Sequence, residues 1–178
     1  MDLEKKESEE SRDSDLHIMD DKMKIPYSEK AMLLFKKGYN CAQSVFLAFH
    51  DEYDMDLNTA LKISSSFGAG MGKLREVCGA VSGMFMAAGL LYGYADPDDR
   101  EGKAEHYRRI QMLAAQFEQQ NGSIICRDLL GLGKDKDGHV PELRTAEYYK
   151  KRPCAELVGM AAEILGRYIE EFPPEKIQ

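Results

Sequence analysis

Glu76-Val77-Cys78-Gly79-Ala80-Val81-Ser82-Gly83 opens a segment, Val77 to Leu91, that carries no charged residue. An apolar run of this length is too short to span a membrane. Its glycines, Gly79, Gly83 and Gly89, instead suit a closely packed core helix. Gly79 and Gly83 lie four residues apart and share one helical face. With Ala80, Ala87 and Ala88 they make a smooth surface that a second helix can approach closely. The expected helix runs from Glu76 to Tyr92, with Gly93 as its stop. It is the expected centre of the domain, and its smooth face suits an intrachain or a homodimer contact equally.

Immediately before it stands Phe67-Gly68-Ala69-Gly70-Met71-Gly72. This run lacks the flanking strand of a dinucleotide fingerprint and the Gly-Lys-Ser/Thr of a P-loop. A close backbone approach is the better reading. Such a loop can also present N–H groups to an anion.

Working outward, apolar residues recur at helical spacing on both sides. Ser28 caps an expected helix to Lys37, stopped by Gly38. Asn40 caps a second, Cys41 to about His50. Asn58 caps a third, Thr59 to Phe67. Asp96-Pro97 is a helix start, and the fifth helix runs to Gln120 with Ala104, Tyr107, Ile110, Ala114 and Phe117 as its stripe. Ser123 caps a short helix around Cys126. Pro141 to Lys151 reads as a short helix or ordered loop. The last helix is Cys154 to Glu171, ended by Pro173-Pro174. No segment alternates as a strand would. The expected fold is all-α, a single-domain bundle of six or seven helices over residues 28–178, with residues 1–27 an acidic, disordered tail. Asp135-Lys136-Asp137-Gly138 reads as a turn, because its glycine is misplaced for a calcium loop.

The chain has 178 residues and a net charge of −7, which argues against binding nucleic-acid phosphates. Residues 1–24 hold nine acids against five bases and no apolar core, so they do not read as a signal peptide. The expected location is cytoplasmic. Thiols are kept reduced there, so the four cysteines suggest redox or metal chemistry more than structural disulfides.

Those cysteines are Cys41, Cys78, Cys126 and Cys154, and at least 28 residues separate any two. Each falls in the first turn of an expected helix and begins an inward stripe: Val45 after Cys41, Val81 after Cys78, Leu129 and Leu130 after Cys126, Leu157 and Val158 after Cys154. Unpaired N–H groups at a helix start stabilise a thiolate and lower its pKa. Lys73, Arg75, Arg127, Lys151 and Arg152 stand nearby in sequence. No Cys-x-x-Cys occurs, which argues against a zinc finger or a thioredoxin-type motif. A site built from distant helices remains, holding either exchangeable thiols or a metal or iron–sulfur cluster. The histidines His17, His50, His106 and His139 read as surface or packing residues, and Ser82 as a helix-packing residue.

The pattern Cys41, Cys78-Gly79-Ala80-Val81-Ser82-Gly83, Cys126, Cys154 resembles the four-cysteine C_GCAxxG_C_C family of redox-active proteins, as do Gly38-Tyr39-Asn40-Cys41-Ala42-Gln43 and Gly70-Met71-Gly72. The resemblance covers about residues 28 to 170. It implies a helical prokaryotic protein, often encoded near transporters. Three functional expectations follow. The leading one is a thiol–disulfide oxidoreductase or electron-transfer protein with Cys78 as its central thiol and Cys41, Cys126 or Cys154 as resolving partner. It would work with a thiol or disulfide redox partner, and its cofactor, if it has one, is left open. The second is a module holding zinc or an iron–sulfur cluster on Cys41, Cys78, Cys126 and Cys154. The third is a helical scaffold docked on a membrane transporter, with structural cysteines.

Overall fold

The computed structural model describes residues 25–133 and 138–174. The acidic tail to Lys24 and most of the Asp135–Gly138 turn lie outside them. Among the described residues the chain forms α1 (Tyr27–Lys36), α2 (Cys41–Ala48), a 3-10 turn (His50–Glu52), α3 (Leu57–Ser65), the one-turn element α4 (Gly68–Met71), α5 (Gly79–Tyr92), α6 (Arg100–Asn121), α7 (Cys126–Leu129), α8 (Ala146–Lys151) and α9 (Cys154–Glu171). No strand forms among them, and the fold is all-α.

Four helices make the core. α1 lies along α9, α2 lies along α5, and α9 crosses α2 and α5. Leu34 and Phe35 of α1 meet Val45 and Phe46 of α2, Val81 and Met84 of α5, and Val158 and Leu165 of α9 in one buried cluster. α5 earns its central place because it is apolar all round, so it must be covered on several sides. α6 covers another side through the fully buried Leu113 and Phe117.

The smooth face of α5 is covered within the chain, by α2. A Cβ on Gly83 would stand 2.5 Å from the Ala42 carbonyl oxygen, and one on Gly79 would stand 3.0 Å from the Cβ of Cys41. Glycine is required at both positions because α2, joined at Gly79 by the Phe67 carbonyl, occupies the space a side chain would need. A second close contact, not foreseen from the sequence, seats Gly159 and Gly166 of α9 against Met32 and Tyr27 of α1.

Several helix starts differ from expectation, each through a competing hydrogen bond. Asp56, not Asn58, caps α3 by accepting from the Thr59 N–H at 3.0 Å. Asp96 closes a preceding turn on the Asp98 N–H, and Asp99 becomes the cap of α6. The inward stripe of α6 also differs from expectation: Tyr107 is 53 % exposed, while Leu113 joins Phe117 in the core. Arg109 also turns inward, donating to the Tyr168 hydroxyl at 2.8 Å and lying over the Tyr92 ring.

α5 begins at Gly79 rather than Glu76, because residues 76–78 pair with residues 124–126. Cys78 N–H donates to the Ile124 carbonyl at 2.8 Å and Cys126 N–H to the Glu76 carbonyl at 2.7 Å, around an antiparallel bridge between Val77 and Ile125. This two-residue ladder satisfies backbone groups that a longer α5 would otherwise carry.

Candidate active site

The start of α2 is built by a reciprocal cap. Asn40 Oδ1 accepts from the Gln43 N–H at 2.9 Å, and Gln43 Oε1 accepts from the Asn40 N–H at 3.0 Å. Both side chains also reach α3: Asn40 Nδ2 donates to the Ser65 carbonyl and Gln43 Nε2 to the Leu61 carbonyl, each at 3.0 Å. This cap satisfies orphan donors and fixes the direction in which Cys41, the next residue, projects.

The glycine run supplies the second wall. Ala69, Gly70, Met71, Gly72 and Lys73 all have positive φ, from 54° to 71°, and Arg75 has φ 64°. α4 is therefore a left-handed turn, closed by a Gly72 N–H to Gly68 carbonyl bond of 2.9 Å. Left-handed dihedrals cost an ordinary residue roughly 1–2 kcal/mol, and four non-glycine residues adopt them here. Strain of this kind persists only where the surroundings hold it. The holding contacts are close. Gly68 abuts the Asn40 side chain, and a Cβ on Gly70 would lie 2.6 Å from that of Cys126. The turn also aims the Ala69 N–H at the Cys41 sulfur.

All four cysteines line one cavity, with Arg75, Tyr148, Arg152 and Leu157 among their neighbours. The space open to the centre of a water-sized sphere is about 30 Å³, room for about two waters. All four are free thiols; Cys41 is partly exposed and the other three are buried. Each sits at a helix start, as expected: Cys41, Cys126 and Cys154 are first residues of their helices, and Cys78 is the residue before α5.

Their chemistry is not equivalent. The Cys154 thiol donates a hydrogen bond to the Cys41 sulfur; with the Ala69 N–H and the Arg144 charge it outweighs burial and lowers the Cys41 pKa to about 6. Cys154 moves the other way, its proton held first by that same bond to Cys41 and then by burial. Burial, followed by the nearby Cys41 charge, pushes Cys78 up to about 12, even though the Ala80 and Val81 N–H groups face it. Burial also raises Cys126, opposed by Arg75, whose Nη1 lies 3.9 Å from its sulfur. Burial thus opposes ionisation of Cys78, the thiol expected to be central, whereas the groups around Cys41 favour its thiolate.

The basic residues near the cysteines in sequence divide. Arg75 and Arg152 line the cavity. Arg127 turns to the Gly133 carbonyl at 2.9 Å, and Lys151 pairs with Glu147. Arg144, Tyr148 and Ala69 were not legible in advance, because nothing in the spacing of residues 144 and 148 ties them to Cys41. Arg144 is fixed by donating to the Phe35 carbonyl at 2.7 Å and stacking over the Phe35 ring. Tyr148 stands under Arg152, and burial followed by the adjacent Cys154 and Cys41 thiols raises its pKa to about 12.

A shared metal is not what these positions fit. Among the described residues no three Cys, His, Asp or Glu side chains are grouped to hold one ion. Of the histidines, His50 is tied to the Met55 carbonyl at 2.8 Å, and His106 packs against Tyr94. Ser82 is buried in α5. No described helix is long and apolar enough to cross a membrane.

Residues 39–168, or 130 of the 178, match the model of the family described as "Putative redox-active protein (C_GCAxxG_C_C)". The chain belongs to this family. All four cysteines fall inside the match. The hexapeptide of this member reads Cys78-Gly79-Ala80-Val81-Ser82-Gly83, with cysteine and glycine in the reverse order of the family's name. No curated protein and no solved structure matches the chain.

Proposed function

We propose that this member of the family is a cytoplasmic thiol–disulfide exchange protein in which Cys41 is the attacking thiolate and Cys154 the resolving cysteine. The observation that carries the reading is the convergence of four free thiols on one cavity, with Cys41 alone partly exposed; the Cys154 thiol, the Ala69 N–H and the Arg144 charge lower the Cys41 pKa. The thiolate is the nucleophile of disulfide exchange.

The Cys41 thiolate attacks one sulfur of a substrate disulfide. A Cys41–substrate S–S bond forms, the substrate S–S bond breaks, and the departing half leaves as a thiolate that takes a proton from water. The negative charge on Cys41 is now gone. The bond to the Cys41 sulfur, ahead of burial and of that charge, was the first cause holding the proton on Cys154, so Cys154 becomes easier to deprotonate after the first step. Its thiolate attacks the Cys41 sulfur, forms the Cys41–Cys154 disulfide and expels the second half as a thiolate. Two electrons pass from two protein thiols to the substrate. A dithiol reductant returns the protein to its starting state.

The test is trapping. Reduced protein treated with a small disulfide is expected to yield a Cys41–Cys154 linkage in peptide mass spectra. Cys154→Ala is expected to stop at the Cys41 mixed disulfide. A linkage confined to Cys78 and Cys126, or no linkage, sinks the assignment.

A further inference from the structure

Exchange at Cys41 and Cys154 leaves the other two thiols of the inner cavity, Cys78 and Cys126, without a role. The short ladder before α5 and α7 sets them together. Successive side chains of paired strands point to opposite faces. Val77 and Ile125, directly opposite each other, therefore point one way, and the residue after each points the other. Those two residues are Cys78 and Cys126. Their N–H groups close the ladder, on the Ile124 carbonyl at 2.8 Å and the Glu76 carbonyl at 2.7 Å. The two thiols thus leave the ladder on one face, diagonally across it. The space they enter is about 30 Å³, and Cys41 and Cys154 line it too. The charges of Cys41, Cys78 and Cys126 are all felt at Cys154.

Burial separates an outer pair from an inner one. Cys41 is partly exposed, whereas Cys78 is 5 % and Cys126 6 % exposed. A disulfide that arrives at Cys41 therefore meets the inner thiols only through the outer pair. The order of events is also built in. A charge on Cys41 is among the causes that hold protons on Cys78 and Cys126. Once Cys41 is joined to Cys154 that charge is gone, and the inner thiols ionise more easily.

We propose that Cys78 and Cys126 are a second redox pair, which reduces the Cys41–Cys154 disulfide and lets one chain reduce two substrate disulfides before a reductant restores it. The proposal deepens the exchange reading and rests on it. Cys126 attacks first, because Arg75 opposes the effect of burial there. Its thiolate attacks the Cys154 sulfur. A Cys126–Cys154 bond forms, the Cys41–Cys154 bond breaks, and Cys41 departs as the thiolate its surroundings favour; a thiol of lower pKa leaves faster. Cys78 then gives its proton to water and attacks the Cys126 sulfur. A Cys78–Cys126 bond forms and Cys154 departs, taking up the proton that Cys126 lost. Two electrons have passed from the inner pair to the outer, and Cys41 is ready for a second substrate.

The experiment adds bis(2-hydroxyethyl) disulfide in excess to the full reduced protein. Timed samples are quenched in acid, unfolded and labelled with N-ethylmaleimide. Peptide mass spectra are expected to show Cys41–Cys154 first and Cys78–Cys126 later, with two disulfides consumed per chain and no thiol left to label. In Cys41→Ser the inner linkage is expected to form about tenfold more slowly or less, since the intramolecular route is lost. In Cys154→Ala, Cys41 is expected to hold a mixed disulfide while Cys78 and Cys126 stay free. Consumption that stops at one disulfide per chain, with Cys41 and Cys154 linked and Cys78 and Cys126 labelled, overturns the relay and leaves the exchange reading standing. An inner linkage that forms as fast in Cys41→Ser as in the wild type also overturns the relay. If Cys41 and Cys154 never link in the wild type, the exchange reading falls. Diamide oxidation of Cys41→Ser/Cys154→Ser then decides the inner pair by itself: a Cys78–Cys126 linkage supports it, and two labelled thiols overturn it.

Discussion

Cys41 and Cys78 occupy the same kind of position. Each begins or precedes a helix, each lies beside the left-handed α4 turn, and each faces the same cavity. Their thiols nevertheless differ from a pKa of about 6 to one of about 12. Both receive backbone N–H groups. Cys41 also has a thiol donor in Cys154 and a guanidinium in Arg144, while Cys78 is buried beside the charge that Cys41 already carries. A helix N-terminus alone is therefore too weak to decide ionisation here. Desolvation and the sign of the next neighbour decide it.

The largest effect that could break this contrast is on alkylation. At pH 7 the thiolate fractions of groups with these pKa values differ by about 10⁵, and the weaker nucleophilicity of the low-pKa sulfur offsets about 10³ of that. Cys41→Ser is expected to slow iodoacetamide incorporation about 100-fold, and Cys78→Ser to leave it within about twofold. Fast labelling that survives Cys41→Ser would reverse the assignment.

Substituting the glycines that abut Cys126 and Cys41 is the next test. Gly70→Ala forces a Cβ to within 2.6 Å of that of Cys126 at a residue with φ 71°. Gly79→Ala meets the Phe67 carbonyl oxygen at 2.9 Å and the Cys41 Cβ at 3.0 Å. Each is expected to lose about 1–3 kcal/mol in urea unfolding, with Gly70→Ala the larger because left-handed strain adds to overlap. Gly79→Ala is also expected to change Cys41 reactivity, since it displaces that residue.

A smaller change is expected in Cys154→Ala. Loss of the thiol donor moves the midpoint of the alkylation pH profile upward by about one unit, which iodoacetamide rates between pH 5 and 9 measure. An unchanged midpoint would show that Arg144 and the Ala69 N–H suffice.

The smallest effect is on stability against pH. The Cys41 pKa is lower in the folded chain than the ordinary thiol value of 9.0. Its contribution is therefore full above pH 9 and is lost as pH falls through about 6. The raised values of Cys78, Cys126 and Cys154 act oppositely, lowering stability above pH 9, where only the unfolded chain ionises readily. Melting temperature is expected to rise from pH 6 toward 9 in the wild type, with a shallower slope in Cys41→Ser.

The helices were legible because local signals specify them. Asn40 capped α2 as expected, and Gly79 and Gly83 marked the face that α2 covers. Helix starts at Asp56 and Asp99 were displaced by two or three residues because several acids and amides compete for the same few N–H groups. The face of α6 was misjudged at Tyr107, since periodicity could not foresee that Arg109 would be drawn in by Tyr92 and Tyr168.

By itself the sequence determined an all-α chain, a central Gly/Ala-rich helix and four cysteines at helix starts. Those properties follow from neighbours within about four positions, where spacing and capping act directly. The proposal of Cys41 as the thiolate rests on the tertiary structure alone. It depends on Cys154 and Arg144, more than 100 residues away in the chain, and on an Ala69 N–H that only a left-handed turn can aim. Ionisation answers to distance and burial in space, and neither is written in local sequence.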